Sequence, residues 1–291
     1  MIETKEVENK SPKRLSIITD IILLIPIIFA TIIVIKAFQI PTLDDEATEV
    51  LSLETQNQTV PQENEYYIKK IKNEFGINVA FGKNVENFAK RVDATAQYDE
   101  NIINNNIKII YKALEKYPIE VFDMSLSKEN PVYIMMVDKF ENNNLALASR
   151  NNLDEYRIYI SNTEKLERAF HHEMYHVLEY YMSKSGKKLY NEWANLNPKD
   201  FKYNEDTSKL TKDYVYDKEN EDVTNCYFLT KYSKTTEKED RAEIFAEIMT
   251  LKNAPVYLKS DCNIRKKADS IKNTLNNEIT YSDFYFSKYM K

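Results

Sequence analysis

All three histidines of the chain fall within six positions, His171, His172 and His176, in a run from Ala169 to Tyr181 that reads AFHHEMYHVLEYY. On a helix, His172 and His176 stand four residues apart on one face, so both imidazoles reach a single point with Glu173 beside it. This His-Glu-x-x-His pattern commits the stretch to a helix and, by ligand type, to a zinc ion. His171 is rotated about 100° from His172, which turns it away from that point and makes it a packing or surface residue.

Composition bounds the rest. At 43% hydrophobic and 12% aromatic residues, the 291-residue chain can bury a sizeable core. Gly76, Gly82 and Gly186 are its only glycines, so asparagine is expected at many turns. The net charge of -6 and the lack of a basic cluster argue against nucleic acid as a partner. Cys226 and Cys262 are too few for a disulfide framework and too far apart in sequence for a zinc knuckle. One disulfide or two free thiols both fit.

The N-terminus sets the expected compartment. From Leu15 to Ile35 the chain is nearly all apolar, with Asp20 as its one charge, which is long enough to cross a bilayer. Lys5, Lys10, Lys13 and Arg14 precede it, whereas residues 41–65 carry seven acids and no Lys or Arg. The positive-inside rule then gives a cytoplasmic tail (1–14), a single transmembrane anchor (15–40), an acidic flexible tether (41–65) and an extracytoplasmic domain (66–291). A cleaved signal peptide, leaving a secreted protein, is the alternative. The sequence after the apolar run lacks a small-x-small cleavage site.

Within 66–291 the periodicities suggest a sheet followed by helices. Gly76–Gly82 reads as a short strand, Ile102–Tyr117 as an amphipathic helix ended by Pro118, and Pro131–Val137, Leu145–Ser149 and Tyr156–Ser161 as strands. The histidine motif lies in a helix over 164–182, with Ser161 or Asn162 as its expected cap. Trp193 is expected in the core.

Two histidines need a third protein ligand, and with no histidine left it has to come from another residue type. Glu179 is on the His176 face, but about 10 Å along the axis from His172. A metzincin would need Gly and His where Glu179 and Met182 stand, so that class is excluded. The better source is the stretch from Glu239 to Glu247, EDRAEIFAE, which is strongly helical and carries glutamates at positions 239, 243 and 247 on one side. A second helix facing the first would supply the ligand.

His-Glu-x-x-His followed by Tyr232, Glu239 and Glu243 resembles the Tyr-x6-Glu-x3-Glu pattern of the gluzincins related to anthrax lethal factor and the clostridial Pro-Pro endopeptidases. The likeness spans roughly residues 75–251, and the chain departs from the family's common Phe-Gly in having Met174 and Tyr175. The resemblance implies a zincin-like α+β domain, a small twisted sheet with helices and then a mainly helical half, with one Zn2+ per chain. By the same resemblance His172, His176 and Glu239 hold zinc, Glu243 supports the site from behind, and Tyr232 stabilises the transition state. A shift of one turn would make Glu243 the ligand instead. The 62 residues between His176 and Glu239 suggest an inserted segment around residues 193–221.

The expected activity is peptide hydrolysis by zinc-activated water, with Glu173 as general base. An inactive zinc- or peptide-binding module of the same fold is the alternative, although such a binder has no chemical need for Glu173. The expected partners are a peptide or protein substrate and the membrane, with no nucleic acid; oligomeric state is not readable.

Overall fold

The structure, a computed structural model, describes residues 62–122, 130–151, 155–184, 186, 188–203, 226–259, 262–279 and 284–288. The expected cytoplasmic tail, the anchor over 15–40, nearly all of the tether, and residues 204–221 of the suggested insertion lie outside the described residues. Among the described residues, no helix is long and apolar enough to cross a membrane. The described residues belong to one compact unit.

The elements run α1 (Gln62–Phe75), β1 (Asn78–Ala80), α2 (Glu86–Lys90), β2 (Ala94–Ala96), α3 (Glu100–Leu114), β3 (Val132–Phe140), β4 (Ala146–Arg150), β5 (Tyr156–Ile160), α4 (Leu166–Ser183), α5 (Glu237–Thr250), α6 (Val256–Lys259) and α7 (Asn263–Glu278). The first helix starts at Gln62, inside the end of the stretch read as tether.

The sheet is ordered β1-β3-β5-β4, and β2 pairs with the far end of β3. β3 is parallel to both β1 and β5, while β4 runs antiparallel to β5. Central position explains why Ile134, Met135, Met136 and Val137 form an unbroken apolar run, all at 0% exposure: a strand covered on both faces has no solvent side to alternate with. β4 is one edge of the sheet.

The helical half closes over the sheet. α4 packs on β4 and β5 and lies along α5. Every residue of α5 from Asp240 to Met249 is buried, so this helix has no amphipathic stripe and is embedded on all sides. Thr236 caps it, its Oγ1 accepting the Glu239 amide at 3.2 Å. Trp193 is 1% exposed, in the core as expected rather than in an excursion.

Three details depart from the sequence expectations. The histidine helix starts at Leu166 after Lys165, with no side-chain cap; the chain between Ser161 and Lys165 is spent turning off β5, so neither Ser161 nor Asn162 caps it. The short elements α2 and β2 lack the periodic run that would announce them. Cys226 and Cys262 are joined in a buried disulfide that ties the segment leading to Tyr232 to the start of α7.

Candidate metal centre

α4 and α5 bring the site together. His172 and His176, one turn apart on α4, turn their Nε2 atoms toward the first turn of α5, where Glu239 projects back. The His172 and His176 Nε2 atoms are 3.2 Å apart. Glu239 Oε2 lies 2.9 Å from His172 Nε2 and 3.4 Å from His176 Nε2. Ligands at zinc bond lengths of about 2.0–2.1 Å in a tetrahedron stand about 3.3 Å from one another. The three atoms therefore already form one face of such a tetrahedron, and among the described residues they are the cluster able to hold a metal ion.

Thr236-x-x-Glu239 has the form of a capping box, in which the glutamate would fold back onto its own helix. Only the threonine half is used, because the Glu239 carboxylate is turned to the imidazoles. Its place in the first turn of α5 also lets the helix dipole favour its negative charge.

Glu243 sits one turn further along α5, fully buried, with Oε1 3.0 Å from His172 Nδ1. A carboxylate there holds a proton on Nδ1 and keeps Nε2 turned toward Glu239 and His176. Glu239 thus faces the Nε2 atoms, while Glu243 faces the back of the His172 ring. Glu247, the third acid in the four-residue series, takes a hydrogen bond from the Tyr257 hydroxyl at 2.5 Å and points toward Arg168. Glu179 is 2.6 Å from Arg241 and is no ligand.

Electrostatics follow from this packing. Burial disfavours the His172 imidazolium, but carboxylates at both ring nitrogens outweigh it and raise its pKa to about 10. Burial likewise works against the Glu239 and Glu243 carboxylates, yet the His176 and His172 rings hold Glu239 well below the usual range, and Arg168 with His172 lowers Glu243 to about 2. Glu173 differs: burial raises its pKa, with the two imidazoles opposing. A carboxyl pushed upward in this way is suited to accept and release a proton.

Glu173 is anchored by the sheet edge, its Oε2 accepting the Ala148 amide of β4 at 2.6 Å. Beside it a small open cleft lies between Leu145 and Ala146 on the edge side and Ala169, His172 and Glu173 on α4. Tyr232, in a short 3₁₀ turn before α5, places its ring centroid 6.0 Å from that of His172. His172, Glu173, His176, Tyr232, Glu239 and Glu243 thus lie close together, whereas Glu179, Glu247 and His171 do not face the cluster.

No protein-family model matches the chain, and comparison with curated proteins finds no match. Among solved structures, a candidate zinc-binding metallo-peptidase from Bacteroides caccae is similar at 12% identity, over 79% of this chain and 90% of that one, with a TM-score of 0.46. A likeness that distant identifies neither family nor activity, and the site geometry stands by itself.

His171 is buried against Tyr117, whose hydroxyl is 2.8 Å from Nδ1, so it packs α4 and takes no part in the cluster. Arg168, Thr230 and the edge-strand amide of Ala148 were not foreseen. Arg168 carried one local signal, since it precedes His172 by one turn on the same helix face.

Proposed function

We propose that the chain is a membrane-anchored, extracytoplasmic zinc-dependent endopeptidase whose domain is zincin-like and holds one Zn2+ per chain. The observation that carries the reading is the tetrahedral-face spacing of His172, His176 and Glu239 with Glu173 beside them at a sheet edge. His172 and His176 would hold the ion through Nε2 and Glu239 through a carboxylate oxygen. Zinc held by these three residues would supply a Lewis acid and lower the pKa of a water to about 7.

The chain's own groups do the rest. Glu173 takes the proton from the attacking water and hands it to the departing amine. The Tyr232 phenol donates to the oxyanion that forms at the peptide carbonyl. β4 offers its outer edge to an extended peptide backbone. The buried Cys226–Cys262 disulfide supports an extracytoplasmic location, because such bonds persist in oxidising compartments.

The test is cleavage of a broad peptide library by the ectodomain, residues 62–291. Cleavage should vanish with a chelator and return with zinc. No cleavage of any peptide by a zinc-loaded, folded ectodomain would turn the reading to a zinc- or peptide-binding module.

A further inference from the structure

Glu243 orients His172, but a carboxylate on a flexible stem needs orienting itself. Arg168 grips it from α4: Nη1 donates to Oε1 at 2.9 Å and Nη2 to Oε2 at 3.0 Å. That fork fixes the plane of the carboxylate as a single contact would not. Thr230 completes the bracket, its hydroxyl donating to Oε2 at 2.8 Å while its oxygen accepts the Ser233 amide at 3.1 Å. Oε1 is thereby left facing His172 Nδ1, and the turn carrying Tyr232 is joined to the same carboxylate.

We infer that Arg168 and Thr230 are positioning residues of the metal centre, setting its zinc affinity through the orientation of Glu243 and hence of the His172 ring. Both hold Glu243, which lies behind the His172 ring. The inference rests on the zinc reading above. Arg168 also walls the cleft beside Ala169, so a direct substrate contact is the rival role, and it differs in what it would move. A positioning role changes the zinc dissociation constant; a substrate contact changes KM at saturating zinc.

The experiment is a zinc titration of the ectodomain against a chromogenic chelator, with parallel peptide kinetics at saturating zinc. Arg168→Met should weaken zinc about 10- to 100-fold, the range seen when groups behind a metal ligand are lost, and should leave KM within about twofold. Arg168→Lys keeps the charge without the fork and should fall between. It also carries the test should Arg168→Met fail to fold. Thr230→Val should weaken zinc binding, and Thr230→Ser, which retains the hydroxyl, should restore it. In the Glu243→Gln background, Arg168→Met should weaken zinc by less than about threefold further, because the two act as one unit.

A parent that binds zinc together with Arg168 variants of unchanged affinity would overturn this inference alone. So would a rise in KM with zinc binding intact, or full additivity with Glu243→Gln. A folded parent that binds no zinc would overturn the proposed function itself.

Discussion

Two neighbouring acids on α5, Glu239 and Asp240, are both held in place by other side chains, yet they end in opposite kinds of site. Asp240 is fully buried, and its Oδ2 takes Lys267 Nζ at 2.6 Å, the Tyr203 hydroxyl at 2.7 Å and Trp193 Nε1 at 3.1 Å. A positive charge already faces the negative one, and Lys267 is itself satisfied by the Tyr227 carbonyl at 2.8 Å. Glu239 instead meets two imidazole Nε2 atoms that point at it and at each other. The first cluster balances its charge within the protein, although Asp240 Oδ1 has no hydrogen-bond partner among the described residues; the second gathers three groups able to donate electron pairs around one point, and is completed by a proton or a metal ion. Counting donors against acceptors separates a structural knot from a metal site where residue type alone does not.

The sharpest break of this comparison is to remove one partner from each side. Glu239→Gln should abolish zinc binding and peptide cleavage in a chain that still folds. Lys267→Met should do the reverse: it strands a buried carboxylate and should cost about 3–5 kcal/mol, on the order of 10 °C in Tm for a domain of this size. The zinc stoichiometry of its folded fraction should not change. Zinc loss from Lys267→Met at a temperature where it is folded would erase the distinction.

Smaller effects come from groups around the metal position. Tyr232→Phe should lower kcat by about 100-fold with zinc binding unchanged, the cost of one oxyanion donor; calorimetric zinc titration and peptide kinetics measure both. Glu243→Gln should weaken zinc binding and activity by about 10- to 100-fold. Loss of metal by Glu243→Gln with retention by Glu239→Gln would shift the ligand register by one turn.

A further effect is on pH dependence. Because the pKa of His172 in the metal-free protein is raised to about 10, its contribution to stability is fully present below the unfolded value of about 6.5 and is lost as pH climbs through 10. The same proton has to leave for Nε2 to bind metal. The metal-free Tm should therefore decline across that window while zinc affinity climbs. A flat metal-free profile would show that His172 is not charged between its two carboxylates.

Much of the site was readable because its chemistry is written at short range. The four-residue step from His172 to His176 set the metal face, and the Tyr232, Glu239 and Glu243 spacing located the facing helix. The strands β3, β4 and β5 were legible from their apolar runs. What sequence did not disclose depends on contacts between distant segments. Lys267 reads as an exposed lysine of a polar helix, and only the packing of α7 on α5 puts it beneath Trp193. Thr230 has no motif at all, and its role exists only once α5 presents Glu243. The disulfide was equally open, since 36 residues separate its cysteines.

The most direct measurement joins zinc content to peptide cleavage in one variant, Glu173→Ala. This substitution removes the proton carrier and leaves His172, His176 and Glu239 untouched. The expected result is about one zinc per chain, a melting temperature near the parent's, and no cleavage of peptides that the parent cuts. Cleavage at the parent's rate would contradict a catalytic role for Glu173. Loss of the zinc would contradict the separation of metal binding from proton transfer on which the mechanism stands.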